Sequence, residues 1–300
     1  MRKSAFRDEG HWYKGNIHTH TTLSDGAIAP DDQIKAYKAH GYDFLAFTDH
    51  NVMNLESRWG SDGFLMIPGW ERDIVHEPEV SCTHVVGLFG SDMGYRQIKL
   101  PPGDKRVMTD HQMIDDMRAR GNSFISLAHP SWSRMEAGEI LALDNIDAIE
   151  CFNLGCERLC HEGHGEWAWD LLLRHGRHVL GICSDDTHSH TVPDDRFGGY
   201  LMVNAGSLTI ESVISSLKSG NYYSTMGPSV YDWGIDGDYA YIECSPVSEI
   251  HFISYPARGK ATFGKAMTDM SYKLTGNESY LRIEIIDEDG NRAYTNPWYF

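Results

Sequence analysis

Apolar and polar positions alternate along this chain on two different periods, and the change between them falls near residue 227. From Tyr13 to about Tyr223, short apolar runs are separated by amphipathic stretches, the pattern of repeated β/α units around a parallel sheet. The first predicted strand ends at Asn16-Ile17-His18. Pro30-Asp31-Asp32 then opens a helix whose apolar positions, Ile34, Ala36, Tyr37 and Ala39, recur every three or four residues until Gly41 stops it. Further strands are predicted at Phe44-Leu45-Ala46-Phe47, at Phe64-Leu65-Met66-Ile67 running on to Glu71, and at Val85-Val86-Gly87-Leu88-Phe89. The remainder are Phe124-Ile125-Ser126-Leu127, Ile146 to Phe152, Val179-Leu180-Gly181-Ile182 and Tyr200-Leu201-Met202-Val203, which makes seven or eight strands in all. Helices are predicted near Asp110 to Arg120, Trp167 to His175 and Ile210 to Leu217.

After Gly227-Pro228 the period shortens to two. Ala240-Tyr241-Ile242-Glu243, Ile250-His251-Phe252-Ile253 and Leu281-Arg282-Ile283-Glu284-Ile285 are separated by the turn signals Asp236-Gly237 and Asp289-Gly290, which predicts a small antiparallel β module. The expected division is therefore an α/β unit over residues 1–227 and a β module over 228–300, with Ile283, Ile285, Trp298 and Phe300 as core positions of the module.

Charge narrows the function classes. With 26 Lys+Arg against 43 Asp+Glu the formal net charge is −17, which disfavours a grip on nucleic acid or on an anionic membrane surface. No apolar segment reaches transmembrane length, and no signal-peptide core follows the basic start. The 6 cysteines form no regularly spaced framework, so a reducing, cytoplasmic location is expected. The 16 histidines stand out, because imidazole favours metal binding and proton transfer.

Their placement gives them a role. In His18-Thr19-His20 the side chains at i and i+2 of an extended chain share a face, so both imidazoles can reach one ion. Alone this motif is weak. But Asp49-His50 ends the second predicted strand, Glu71 the third, His129 the fifth, and Asp186-Thr187-His188 the seventh. Metal-ligand residues thus recur where parallel strands run out, the rim at which β/α barrels build active sites.

These residues carry a resemblance. His18-Thr19-His20-Thr21-Thr22-Leu23-Ser24-Asp25-Gly26, Phe47-Thr48-Asp49-His50-Asn51, Glu71, His84-Val85-Val86-Gly87, His129-Pro130 and Ser184-Asp185-Asp186-Thr187-His188 resemble, in order, the motifs of the PHP (polymerase and histidinol phosphatase) metallohydrolases. The likeness spans roughly residues 12 to 225 and is greatest to stand-alone phosphoesterase-like members that include the carbaryl-hydrolase-like branch. It implies a distorted (β/α)7 barrel holding two or three divalent ions. One ion would be held by His18, His20, Glu71 and an aspartate of the seventh-strand motif; a second would share Glu71 and add His84 and His129; a third would lie between Asp25, His50 and His188. Asp185 and Asp186 stand as alternatives, strand alternation favouring Asp186. Glu71, Asp186 and His188 form the expected catalytic set.

A mixed imidazole and carboxylate shell suits Zn²⁺, Mn²⁺ or Fe²⁺ rather than Ca²⁺. Paired ions can hold a bridging hydroxide at neutral pH and clamp the oxygens of a phosphoryl transfer. The expected activity is a metal-dependent phosphoesterase acting on a small anionic metabolite, with amide, carbamate or ester hydrolysis by the same centre, or a catalytically silent PHP domain, as competing readings. Arg134 and Arg196 follow predicted strand ends and are candidate contacts to a substrate anion, against the plainer reading of solvated loop charges. Trp132 and Asn153 are candidate pocket residues, and Glu150 is a candidate support for the ligands or a core residue. Cys156, Cys160, His161 and His164 could form a separate small zinc site, or an ordinary loop and helix start. His190 is within reach of the pocket. Nothing in the sequence fixes an oligomeric state.

Overall fold

The computed structural model describes residues 2–7, 10–55, 60, 63–76, 81–92, 97–101, 103–104, 108–189 and 194–300; His190 lies outside them. The α/β part consists of β1 (His11–Asn16), α1 (Pro30–Ala39), β2 (Phe44–Phe47), β3 (Leu65–His76), β4 (Ser81–Phe89), α2 (Asp110–Ala119) and β5 (Asn122–Leu127). It continues through α3 (Ala137–Ala142), β6 (Ala148–Asn153), α4 (Leu154–Cys160), α5 (Glu166–Arg174), β7 (Leu180–Ser184), β8 (Tyr200–Ala205), α6 (Ile210–Lys218) and β9 (Tyr222–Thr225). The C-terminal strands are β10 (Val230–Asp236), β11 (Tyr239–Tyr255), β12 (Lys260–Lys273), β13 (Tyr280–Ile286) and β14 (Arg292–Thr295).

Local chemistry explains the helices. Pro30 stands in the first turn of α1 with Asp31 and Asp32 beside it, where a fixed φ and negative charge suit the helix start. Thr109 and Gln112 close a reciprocal capping box on α2. In α6, Ile210, Val213, Ile214 and Leu217 form one apolar stripe, buried with Leu201 and Val203 of β8 in a shared core.

The fold is mixed α/β, and strand-rich. β1, β2 and β3 run parallel, as do β5, β6 and β7, but β3–β4 and β4–β5 are antiparallel pairs. The sheet is therefore of mixed direction, and the distorted (β/α)7 barrel implied by the resemblance is not shown. Four residues separate β3 from β4, too few for the crossover that a parallel pair requires, so the two strands pair as a hairpin. Nor is the sheet closed. Among the described residues β7 has a register only with β6, and β8 only with β1 and β9, so the gap is crossed by the isolated bridge Thr19–Thr187.

The change of period near residue 227 does not divide the packing. β8 pairs antiparallel with β1 and with β9, and β9 pairs with β14, so the C-terminal strands extend the same sheet. The strand Arg2–Ser4 pairs with β10, and Phe6 and Tyr223 share a core with Trp233, Ile242, Ile283 and Ile285. Trp298 only packs against this core and Phe300 is exposed, so the alternation argument fails at the last residue. Charged contacts add to the seam. Arg282 of β13 is buried over the Trp169 ring and bonds Asp170 of α5, at 3.0 and 3.1 Å. No helix among the described residues is long and apolar enough to cross a membrane, and all six cysteines are free.

Candidate metal centre

The ligand candidates come from segments far apart in sequence. His18 and His20 follow β1, His50 follows β2, Glu71 and His84 lie within β3 and β4, His129 follows β5, and Asp186 and His188 follow β7. Glu71 is not at a strand end, as the sequence pattern suggested, since β3 continues to His76. It reaches the rim because the hairpin sets Asp73 opposite His84, and Glu71 shares the face of Asp73 two residues away.

The donor atoms converge. His18 Nε2 and His20 Nε2 are 3.2 Å apart, Asp186 Oδ1 is 3.0 Å from each, and Glu71 Oε2 is 3.3 and 3.2 Å from them. Four ligands at ~2.05 Å from one ion in a tetrahedron are separated by about 3.3 Å, so this spacing is that of a coordination shell. Glu71 also faces a second group: its Oε2 is 3.1 Å from His50 Nδ1, and its Oε1 is 3.0 Å from His84 Nδ1 and 3.3 Å from His129 Nε2. A third group is looser, with Asp25 Oδ2 3.4 Å from His188 Nε2 and 3.7 Å from His50 Nε2. Among the described residues, mutual reach defines three candidate ion sites: His18, His20, Glu71 and Asp186; His50, Glu71 and His84; and His20, Asp25, His50 and His188.

The residues fit a cation. Glu71 Oε2, Asp186 Oδ1 and His50 Nδ1 are buried without a hydrogen-bond partner, although buried polar atoms are ordinarily satisfied. Among the described residues, Glu71, Asp186 and Glu150 make ion pairs with imidazole only. Their charge shows in the titration of their neighbours. Burial would hold His18 neutral, but Asp186, Glu71 and Glu150 overcome it and raise its pKa to about 10. Burial likewise opposes the charge of Glu71, yet His50, His18 and His84 keep it well below the usual carboxylate range. For His50 burial prevails and brings the pKa down to about 4.

The loops bearing these residues are tightly specified. Asp49 accepts hydrogen bonds from the Thr21 and Ser24 amides and hydroxyls, which folds the segment after His20. A Cβ on Gly26 would lie 2.6 Å from the His20 carbonyl carbon, so only glycine permits that fold. Asp195 accepts from the His188 and Ser189 amides and from Thr187 Oγ1. Non-glycine residues with positive φ gather here: Asn51, His129, Asp186 and Ser189.

The two adjacent aspartates have different surroundings. Asp186 Oδ1 faces His18 and His20, whereas Asp185 accepts Tyr37 Oη at 2.8 Å and the amides of Phe197, Gly198 and Gly199. Burial outweighs those bonds and pushes the Asp185 pKa up to about 6. A cavity of about 290 Å³ opens over the cluster, walled by Trp132, Gly155, Cys156 and Leu159 and floored by His84, His129 and Asp186. The Trp132 ring is 5.0 Å from that of His129 and 5.6 Å from that of His84. Arg134 and Arg196 are not among its lining residues. Arg134 is exposed, and Arg196 is committed to Asp194 by bonds of 2.7 and 2.6 Å. Cys156, Cys160, His161 and His164 do not converge: His161 bonds Glu157 and His164 bonds Glu166.

Residues 16–99 match the PHP domain. The matched PHP segment carries His18, His20, Asp25, His50, Glu71 and His84 and stops before His129 and Asp186, which the fold brings to the same point. No curated protein matches the chain. Among solved structures it is similar to a two-domain protein from Bacteroides vulgatus containing a predicted PHP-like metal-dependent phosphoesterase. That pair has a TM-score of 0.55 and 14% identity, over 98% of this chain and 97% of that one, a likeness of fold. A Bifidobacterium adolescentis protein named as a metal-dependent phosphoesterase has a TM-score of 0.44 and 15% identity, over 63% of this chain and 91% of that one. An amidohydrolase from Chromobacterium violaceum has a TM-score of 0.41 and 16% identity, over 61% and 90%.

Two contributors had little sequence signal. Glu150 accepts His18 Nδ1 at 2.7 Å, and Asp195 ties the 187–189 turn; neither belongs to a spaced motif, and each acts across contacts that only the fold creates.

Proposed function

We propose that the protein is a metal-dependent hydrolase, a phosphoesterase that cleaves a small phosphorylated metabolite with two or three divalent ions. The observation that carries this reading is the convergence of His18, His20, Glu71 and Asp186 at coordination spacing around carboxylate oxygens with no hydrogen-bond partner. His84, His129, His50, Asp25 and His188 extend the ligand set, and the matched PHP segment supports the same chemistry.

Divalent ions held there would supply Lewis acidity, lowering the pKa of water to ~7 and taking up charge on a transferring group. The chain's own residues do the rest. Glu71 turns Oε2 to His18, His20 and His50 and Oε1 to His84 and His129, so it is the carboxylate that two of the sites would share. Trp132 and Leu159 limit the approach of water from the cavity walls, and His188, partly exposed beside Asp25, faces the cavity where it can exchange a proton with a bound substrate. Asp186 holds the floor of the cavity against both imidazoles of the first motif.

In this reading Zn, Mn or Fe is the metal, and the protein is akin to stand-alone PHP-type phosphoesterases such as those of the carbaryl-hydrolase-like branch. The protein acts in the cytoplasm on a small anionic molecule rather than nucleic acid or membrane. Arg134 and Arg196 can serve the substrate only if the loops bearing them approach the cavity. The test is a panel of phosphomonoesters, phosphodiesters, amides, carbamates and carboxylic esters, offered to protein reconstituted with each metal. Turnover of a phosphoester is expected. Turnover confined to amides or esters would replace the phosphoesterase assignment, for which the apolar wall of Trp132 and Leu159 gives a specific motive. Less than one bound ion per chain would overturn the metal reading.

A further inference from the structure

We propose that Glu150 is the positioning residue of this centre: its carboxylate sets the His18 tautomer that leaves Nε2 bare for an ion, and through Asn153 it holds Asp186 opposite. The inference rests on the metal-centre reading above and names a residue outside the ligand set.

Glu150 is buried within β6 and spends both oxygens on the segments that bear ligands. Oε1 accepts His18 Nδ1 at 2.7 Å and Ser184 Oγ at 2.6 Å; Oε2 accepts the His129 amide and Asn153 Nδ2, each at 2.8 Å. One side chain therefore touches the ends of β1, β5, β6 and β7. An ionised carboxylate only accepts, so His18 Nδ1 must keep its hydrogen, and Nε2, directed at His20, Asp186 and Glu71, is the nitrogen left to give up a proton and take an ion.

Asn153 transmits the constraint. Its Nδ2 hydrogens go to Glu150 Oε2 and to Asp186 Oδ2, at 2.8 and 3.0 Å, while its Oδ1 accepts the Cys156 amide and caps α4. With Oδ2 engaged, Asp186 Oδ1 is left to face the imidazoles. Glycine at 155 lets α4 approach this point, since a Cβ there would lie 2.6 Å from the Asp186 carbonyl oxygen.

Glu150→Gln isolates the effect. The amide NH₂ cannot occupy the Oε2 position, where it would meet two donors, so it takes the Oε1 position. Ser184 can rotate its hydroxyl to accept there. His18 can accept only by moving its hydrogen to Nε2, which blocks the coordinating atom. Metal-depleted protein is titrated with Zn²⁺ and with Mn²⁺ against a competing chelator, and ¹⁵N spectra of histidine-labelled, metal-depleted protein, followed up to the alkaline pH at which the buried imidazole loses its second proton, report the tautomer. The expected result is a 10- to 100-fold loss of affinity in E150Q, the usual cost of losing such a partner, and the transfer of one buried imidazole from the Nδ1–H to the Nε2–H form. Glu150→Asp, which keeps the acceptor, should retain the Nδ1–H form and recover part of the affinity, and it serves if E150Q folds poorly. Equal affinity in wild type and E150Q, or a tautomer unchanged in E150Q, overturns the proposal while leaving the metal centre intact. In E150D, an imidazole moved to Nε2–H has the same consequence. A wild-type protein that takes up neither ion overturns the centre itself.

Discussion

Glu166 offers a measurement of how firmly the C-terminal strands are fastened to the α/β part. It opens α5, and its Oε1 accepts Tyr294 Oη at 2.6 Å, His164 Nδ1 at 3.0 Å and Arg292 Nη1 at 3.1 Å. Burial alone would raise its pKa, but the bonds from His164 and Tyr294 outweigh it and lower the value from 4.5 to about 2. Each pKa unit is worth about 1.4 kcal/mol, so the ionised carboxylate contributes about 3 kcal/mol, and with an acid at a helix N-terminus the sign is consistent. A depressed folded-state pKa gives stability that is fully present above 4.5 and lost as the pH falls toward 2. His164 adds a smaller opposite slope: its hydrogen bond to Glu166 raises its pKa, so its share is present below 6.5 and fades as the pH rises through the folded value. Glu166→Gln keeps the size and one acceptor while deleting the charge. Urea unfolding of both proteins from pH 7 to pH 3 should show the variant ~2–3 kcal/mol less stable at pH 7, with a gap widest near pH 5 that shrinks steadily below 4.5. An equal gap at pH 3 and pH 7 would show that Glu166 acts by shape alone, and no gap at pH 7 would remove it from the seam's energetics.

The remaining expectations concern single contacts. Arg282→Ala strips Asp170 of its hydrogen-bonded partner, leaving it Arg174 at 3.7 Å, and removes the cation from the Trp169 face, and should cost ~3 kcal/mol in chemical denaturation; Arg282→Met, which refills the space, should cost clearly less. Gly155→Ala should destabilise by ~1–3 kcal/mol and weaken metal uptake together, because the added methyl meets backbone oxygen at Asp186 and Asp185. Asp186→Asn should abolish uptake at the first site with little loss of apo stability, whereas Asp185→Asn, facing three backbone amides and Tyr37, should lower the thermal midpoint first.

The strands and helices were legible because their periods are local properties: α6, α5 and β8 fall within a residue or two of where the apolar pattern puts them. The sheet's direction was not, because strand–helix alternation says nothing about which connection is too short to cross, and the hairpin of β3 and β4 turns on that length. At the site, His18, His20 and Asp186 are readable as motifs because one strand end carries the ligands two apart. Glu150 was ambiguous, since a buried carboxylate and a core-facing one share the same sequence position and only three-dimensional contact separates them. The change of period at residue 227 is a property of the strands themselves, and the packing of Phe6 and Tyr223 with the C-terminal strands could be read only from three-dimensional contact.

The gap in the sheet and the cluster of ligands are one feature. Among the described residues, the segments after β1 and β7 are bridged at Thr19 and Thr187, through the His20 amide to the Thr187 carbonyl at 3.1 Å and the Asp186 amide to the His18 carbonyl at 3.0 Å. The side chains flanking that bridge on one side are His18 and His20, and on the other Asp186 and His188, all members of candidate ion sites. An ion held by His18, His20 and Asp186 would span the seam that no ladder closes, so it should stabilise this junction beyond the mass-action gain, which is ~2.7 kcal/mol overall at 100 times Kd. Amide exchange on metal-free and metal-loaded protein distinguishes the two effects. The His20 and Asp186 amides should slow by more than those of β5 and β6, which are already fixed in parallel ladders. Uniform slowing across the sheet would mean that metal acts through global stability alone and that the seam is held by its backbone bridge. Faster exchange at these two amides would mean that binding pulls the strand ends apart, contrary to the spacing of the four donors.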